Sequence, residues 1–79
     1  MSTVYDRLSN LLITKFGVGA AEIAPDVPLS ELELDSLALV EVAMAVQEEF
    51  GVDIGESELA PKHTMADAVA VLTGKGVSV

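Results

Sequence analysis

The sequence contains no cysteine and no tryptophan, and aromatic residues make up only 4% of it. Without cysteine, the chain has neither a disulfide framework nor thiolate ligands for a metal, which fits a reducing compartment. It also lacks a run of about 20 apolar residues that would span a bilayer. With 79 residues, of which 51% are hydrophobic, the chain is predicted to form one small domain over residues 1–79 with a modest core.

Basic residues are scarce as well, since four Lys and Arg stand against thirteen Asp and Glu, for a net charge of −9. This balance argues against nucleic acid as a partner, because phosphate neutralisation needs clustered cations. All four basic residues lie outside positions 16–61, whereas eleven of the acids fall between Glu22 and Glu58. This acidic block either serves solubility or steers basic partner proteins by long-range attraction.

The first ten residues, MSTVYDRLSN, show no basic segment followed by an apolar run. A secretory signal peptide would need both features. We therefore expect a cytoplasmic protein that does not bind membranes, and we expect it to be a monomer.

The spacing of apolar residues predicts three helices and no strand, because no alternation with a period of two persists along the chain. The first helix is predicted over residues 3–16. The second covers residues 36–50 and is ended by Gly51, a residue that commonly follows a helix. The third follows the capping pattern of residues 64–67 and is expected to end near residues 73–74.

Short helical turns are expected in the two connections between these helices. The first connection contains Pro25 and Pro28, which disfavour a continuous helix, and a loop this long usually has some structure of its own. We predict a turn at residues 30–33 and a short helix at residues 56–60, and we expect the tail over residues 75–79 to fray. The predicted fold is all-α: a small bundle of three main helices plus one short helix, with a long loop between the first and second helices.

The second helix is predicted to have two apolar faces. On a helical wheel of about 100° per residue, one side carries a stripe suited to the core: Leu39, Val42, Ala43, Val46 and Phe50. The opposite side carries Leu37, Val40, Glu41, Met44 and Glu48. Because burying two unpaired carboxylates is costly, we expect this second side to face solvent and to dock partner proteins. The alternative is a central helix that is buried all round.

The stretch LDSL at the start of this helix places Ser36 between Asp35 and an apolar run. A nucleophilic serine needs a base, but the chain has a single histidine, His63, and no G-x-S-x-G sequence. We expect His63 to be a surface or capping residue, and we expect neither a catalytic site nor a metal site, since no calcium-binding loop pattern is present. Ser36 then either caps the helix or anchors a phosphate-linked group, which a helix N-terminus favours.

The chain resembles the acyl carrier proteins. The resemblance is carried by Asp35-Ser36-Leu37, Val40-Glu41, Glu48-Glu49-Phe50-Gly51 and Ile54. It extends over nearly the whole chain in length, acidity and helix order. It implies that Ser36 is esterified by 4′-phosphopantetheine from coenzyme A, and that acyl groups ride as thioesters on the thiol of this arm. It also implies a carrier that is not itself an enzyme.

The resemblance further implies roles for residues around Ser36. Asp35 would help to present the serine to the basic residues of a phosphopantetheinyl transferase, the holo-synthase. The docking face would comprise Leu37, Val40, Glu41, Met44 and Glu48. A further group would belong to the core and also line any cleft for the growing chain: Val27, Leu32, Val46, Phe50 and Ile54. The other partners would be a malonyl transferase, a ketosynthase, and reductases or cyclases with basic patches.

Two positions depart from the pattern of many fatty-acid carriers, which have another acid in place of Ala38 and a proline in place of Gly55. The more apolar LDSLAL resembles discrete carriers of type II polyketide pathways, so we favour polyketide or related specialised metabolism over fatty acid biosynthesis. The sequence ELDS before the helix argues against a peptidyl carrier. A different class of function also stays open, a small acidic interaction or regulatory module without a prosthetic group.

Overall fold

Three α-helices form the fold: α1 (Thr3–Phe16), α2 (Ser36–Phe50) and α3 (Met65–Gly74). They lie in a computed structural model that describes residues 3–32 and 34–77, and for Glu56 and Ser57 the backbone alone. Within those residues there is no strand, and the only bridge of the β type is an isolated antiparallel one between Pro28 and Thr64. The all-α prediction is therefore confirmed, and the bounds of α1 and α2 are those that the sequence predicts.

The helix ends have the capping residues expected from the sequence. Gly51 ends α2 in the left-handed region, with φ 68°, and its N–H donates to the carbonyl oxygen of Gln47 at 2.9 Å. Before α3, the Asp67 N–H donates to the Thr64 hydroxyl at 3.2 Å, and the Thr64 N–H donates to the Asp67 carboxylate at 3.0 Å. These bonds confirm the predicted capping box, and the Thr64 amide lowers the pKa of Asp67 because it stabilises the carboxylate.

Three short 3-10 turns lie in the connections, at Ala20–Glu22, Leu29–Leu32 and Glu56–Leu59. The second and third correspond to the predicted turns, although the second begins one residue earlier than expected and Glu33 is outside the described residues. The first turn was not predicted. It is closed by the Glu22 carboxylate, which accepts the Gly19 N–H at 3.2 Å.

The long first connection is bonded to the segment that precedes α3. The Leu29 N–H donates to the His63 carbonyl at 2.8 Å, and the Ser30 N–H donates to the Pro61 carbonyl at 3.1 Å. In the other direction, the Ala66 N–H donates to the Pro25 carbonyl at 2.9 Å. The connection is thus ordered by backbone pairing with a segment more than thirty residues away.

The core contains only apolar side chains among the described residues. Helix α1 packs against both α2 and α3, and the Glu56–Leu59 turn contacts both α2 and α3. The buried residues are Val4, Leu8, Leu11, Leu12, Val18, Leu29, Leu32, Leu34, Leu39, Val42, Ala43, Val46, Ile54, Leu59, Met65, Ala68 and Leu72. Five of these lie in the connections, within residues 17–35 and 51–55, so both connections pack against the helices.

An ion pair joins α1 to the end of α2. The Arg7 guanidinium lies 3.1 Å from the Glu49 carboxylate and donates to the Glu49 carbonyl at 2.9 Å. It also lies 4.4 Å from the centroid of the Phe50 ring, a favourable position for a cation over an aromatic face. One basic side chain therefore fixes the far end of α2 against its neighbour.

The tail shows order in the part that the structure describes. The Gly76 N–H donates to the Thr73 carbonyl at 3.1 Å, and the Val77 N–H donates to the Leu72 carbonyl at 3.2 Å. Ser78 and Val79 lie outside the described residues. Fraying of the tail stays a prediction.

Within residues 3–32 and 34–77, none of the helices combines the length and the apolar character that a bilayer crossing requires. A cytoplasmic location stays a prediction from the N-terminal sequence.

A matched pair of glycine substitutions tests the helix end at Gly51. Gly51→Ala should lower the free energy of unfolding by about 1–2 kcal/mol, because an L side chain is strained in the left-handed region. Gly74→Ala, inside α3 and with open space around the added Cβ, should raise it by about 0.4–1 kcal/mol. Urea unfolding measures both. A Gly51→Ala variant as stable as the wild type would contradict the proposed cap.

Candidate functional site

Asp35 and Ser36 occupy different positions at the N-terminus of α2. Asp35 is the N-cap: its carboxylate accepts the Ala38 N–H at 2.8 Å, and its carbonyl accepts the Leu39 N–H at 2.9 Å. Ser36 is the first helical residue, is exposed, and its hydroxyl makes no hydrogen bond with any described residue. Of the two roles open to Ser36, capping therefore falls to its neighbour, and the Ser36 hydroxyl is left accessible.

The outer face of α2 is exposed as the wheel predicts. The exposed fractions are 69% for Leu37, 40% for Val40 and 60% for Met44, the large apolar side chains that are exposed in the described part of the chain. Glu41 and Glu48 on the same face are exposed and have no ion-pair partner among the described residues. The alternative of a helix buried all round is wrong. Because the two glutamates are seven residues apart, they are separated by about 10 Å along the helix.

An apolar cleft of about 210 Å³ begins beside Ser36. One wall is the side of α2 with Leu39, Val40 and Ala43, and the other is the connection Leu59-Ala60-Pro61. Its volume is below the ~300–1,000 Å³ of pockets that enclose drug-sized ligands. In this conformation it would accommodate a short apolar segment of a group attached at Ser36.

The residues predicted to line a cleft lie elsewhere. Leu32, Val46 and Ile54 are buried in the core, and Val27 and Phe50 are partly buried and pack against it. None of the five lines the cleft beside Ser36. Their role in lining a larger acyl chamber stays a prediction.

The wall Leu59-Ala60-Pro61 was not identified from the sequence. The signal available was the apolar triplet at the end of the predicted short helix, but nothing local shows that this triplet lies opposite Ser36. The position depends on how the Glu56–Leu59 turn packs between α2 and α3.

Hydrogen bonds at both ends of the wall hold it in place. The Glu58 carboxylate accepts the Gly55 N–H at 2.8 Å and lies 3.1 Å from the Lys75 ammonium. The Gly55 amide first, and then Lys75, lowers the pKa of Glu58. At the other end, the Ala60 N–H donates to Nδ1 of half-buried His63 at 3.1 Å. His63 thus closes a turn in the wall.

Comparison with known proteins identifies the family. Residues 6–72 match the family described as the phosphopantetheine attachment site. An acyl carrier protein of Solidesulfovibrio magneticus is 34% identical over 74 residues, which cover 92% of this chain and 95% of the relative. One of Thermobifida fusca is 36% identical over 67 residues, covering 84% and 85%, and one of Nitratidesulfovibrio vulgaris is 34% identical over 74 residues, covering 92% and 97%. The prosthetic group of the family is 4′-phosphopantetheine, and the chain belongs to the acyl carrier proteins.

Proposed function

We propose that this protein holds acyl and ketoacyl groups as thioesters on a 4′-phosphopantetheine arm esterified to Ser36 and presents them to partner enzymes. The observation that carries this proposal is the exposed Ser36 hydroxyl at the N-terminus of α2, freed from capping by Asp35 and placed beside an apolar cleft. The protein itself catalyses no step in this proposal. It is a carrier to which partner enzymes bind in turn.

The residues around Ser36 suit a phosphate ester. The first N–H groups of a helix lack partners within the helix. The Asp35 carboxylate accepts a hydrogen bond from only one of them, the N–H of Ala38. The remaining amides and the positive end of the helix dipole favour a phosphate at this position. When bound, the arm supplies the thiol that forms the thioester, a group that the chain lacks because it has no cysteine.

The exposed face of α2 suits partners that combine cations with an apolar surface. Glu41 and Glu48 flank Met44 along the helix, and neither carboxylate is neutralised within the described residues. Partner enzymes of this carrier, namely the phosphopantetheinyl transferase, a malonyl transferase and a ketosynthase, would meet this face with basic residues. The exposed Leu37 and Met44 would add apolar contact.

Type II polyketide or related specialised metabolism is the pathway that we favour. Ala38 adds no charge beside Ser36, and Leu37 is the most exposed of the large apolar side chains, so the entrance to the site is less acidic than in many fatty-acid carriers. Fatty acid biosynthesis is the alternative. The relatives carry the general name acyl carrier protein, which is compatible with both pathways.

Substitution of Ser36 tests the attachment site. When incubated with coenzyme A and a phosphopantetheinyl transferase, the wild type should gain the mass of one phosphopantetheine group, and Ser36→Ala should gain none. Ser30→Ala is the control, since Ser30 is exposed but lies in the Leu29–Leu32 turn and not at the start of α2, and it should be modified like the wild type. Intact mass spectrometry reads the result. A wild type that gains no mass would favour the alternative of an interaction module without a prosthetic group.

Two substitutions of Asp35 distinguish the effect of its capping hydrogen bond from the effect of its negative charge. Asp35→Ala should lower the free energy of unfolding by about 1 kcal/mol, because the Ala38 N–H loses its acceptor, whereas Asp35→Asn keeps an acceptor and should change stability little. If the charge helps to present Ser36, both variants should be modified more slowly than the wild type at low ionic strength. Equal rates for Asp35→Asn and the wild type would restrict Asp35 to capping.

Charge reversal on α2 tests the docking face. Glu41→Lys and Glu48→Lys should slow association with the transferase by up to about tenfold at low salt, and the difference should shrink as salt rises. Asp26→Lys makes the same change of charge at an exposed loop position and should have a smaller effect. Stopped-flow association rates measure this. Equal slowing by all three variants would mean that only net charge matters and that this face has no special role.

A further inference from the structure

A tight turn carries the end of the cleft wall. The His63 N–H donates to the Ala60 carbonyl at 2.9 Å, and the Ala60 N–H donates to Nδ1 of His63 at 3.1 Å. Pro61 and Lys62 are therefore the two middle residues of the turn. Pro61 lines the same cleft as Ser36, so Lys62 follows directly after a residue that faces the attachment site.

The backbone on both sides of Lys62 is bonded to the segment that leads to α2. The Ser30 N–H donates to the Pro61 carbonyl at 3.1 Å. The Leu29 N–H donates to the His63 carbonyl at 2.8 Å. Helix α2 begins six residues after Ser30. The fold thus determines where the backbone of Lys62 lies relative to the start of α2.

The side chain of Lys62 is available to bind an anion. It is exposed, and it has neither an ion pair nor a hydrogen bond with the described residues. Lys75 is paired with Glu58 on the side of α3. Arg7 and Lys15 lie on α1, beside the C-terminal end of α2. Among the described residues, Lys62 is thus the unpaired cation next to the wall of the cleft.

A phosphate ester on Ser36 would lie beside an existing negative charge. The Asp35 carboxylate directly precedes Ser36, is exposed and has no ion-pair partner among the described residues. Like charges repel at such a short separation. The amides and the dipole at the start of α2 offset part of this repulsion. An ammonium group on a flexible stem, which commonly binds phosphate as a point charge, would offset more of it.

We propose that Lys62 is a positioning residue that pairs with the phosphate of the arm on Ser36. The proposal rests on the proposed carrier function. Lys62 keeps the base of the arm between the start of α2 and the turn that carries the wall, so that the arm begins over the cleft instead of extending into solvent. It acts on the phosphate and not on the acyl group, so its role is independent of the cargo.

The expected effect is modest and depends on salt. Lys62 and Ser36 are both exposed, and exposed ion pairs shift an equilibrium by a factor of about two to five. The attraction between exposed charges is screened as the ionic strength rises. A salt-dependent coupling between Lys62 and a phosphate on Ser36 is therefore what the pair should produce.

Phosphorylation of Ser36 tests the pair without a transferase. Chemical synthesis supplies the full chain with Ser36 either free or phosphorylated, in each case as the wild type and as Lys62→Met. At low ionic strength, Lys62→Met should raise the equilibrium constant of unfolding about two to five times more in the phosphorylated form than in the free form. High salt should remove most of this difference. Urea unfolding measures the constants. Equal effects of Lys62→Met in the two forms overturn the proposal.

Lys15→Met is the matched control for the loss of one positive charge. Lys15 is exposed and has no ion-pair partner among the described residues. It lines a cavity with Glu49, which follows Ser36 by thirteen residues and is therefore about 20 Å away along α2. Lys15→Met should have the same effect in both forms, and Lys62→Arg should behave as the wild type. Equal coupling for Lys15→Met and Lys62→Met would mean that only net charge matters, against the proposal.

Phosphorus NMR then tests the pair in the arm itself. The modified protein is prepared with coenzyme A and a transferase, and the signal of the phosphodiester is recorded. Lys62→Met should shift this signal because a neighbouring ammonium group is lost, whereas Lys15→Met should leave it in place. Identical spectra of the wild type and Lys62→Met overturn the proposal. A wild type that gains no arm contradicts the proposed function instead, and the unfolding of the phosphorylated chain still decides whether Lys62 pairs with a phosphate on Ser36.

Discussion

Burial of one face of α2 is the constraint on which the rest of the structure depends. A chain of 79 residues can build only one small core, and Leu39, Val42 and Val46 commit one side of α2 to it. Once that side is fixed, the helical period leaves Leu37 and Met44 in solvent. The packing that stabilises the bundle therefore also creates the exposed face and sets the direction in which Ser36 is presented.

The few cations of the chain are used away from the exposed face. Arg7 binds Glu49 and lies over Phe50 at the end of α2, and Lys75 binds Glu58 behind the cleft. Each pair connects two elements of the bundle. Neither pairs with Glu41 or Glu48, so the exposed face of α2 keeps its negative charge while the two ion pairs connect elements of the bundle. The scarcity of basic residues thus leaves the carboxylates of Glu41 and Glu48 without an ion-pair partner among the described residues.

Local signals in the sequence were sufficient to predict the helices and their ends. Apolar spacing predicts α1 and α2 within the observed bounds, and the Thr64 capping pattern predicts the start of α3. What could not be predicted depends on residues that are distant in the chain. The Arg7–Glu49 pair spans 42 positions, and the wall Leu59-Ala60-Pro61 faces Ser36 only because a turn packs between two helices. Periodicity carries no information about either arrangement.

The same distinction explains why the predicted cleft residues and the observed wall differ. Val46 and Ile54 have the composition of a pocket, but in a small domain a buried apolar side chain and a pocket-lining one obey the same pattern. The difference lies in whether a second surface approaches closely enough to fill the space. Beside Ser36 that surface is a short connection, held by Glu58 on one end and by His63 on the other. The size of the cleft beside Ser36 therefore depends on how closely this connection lies against α2.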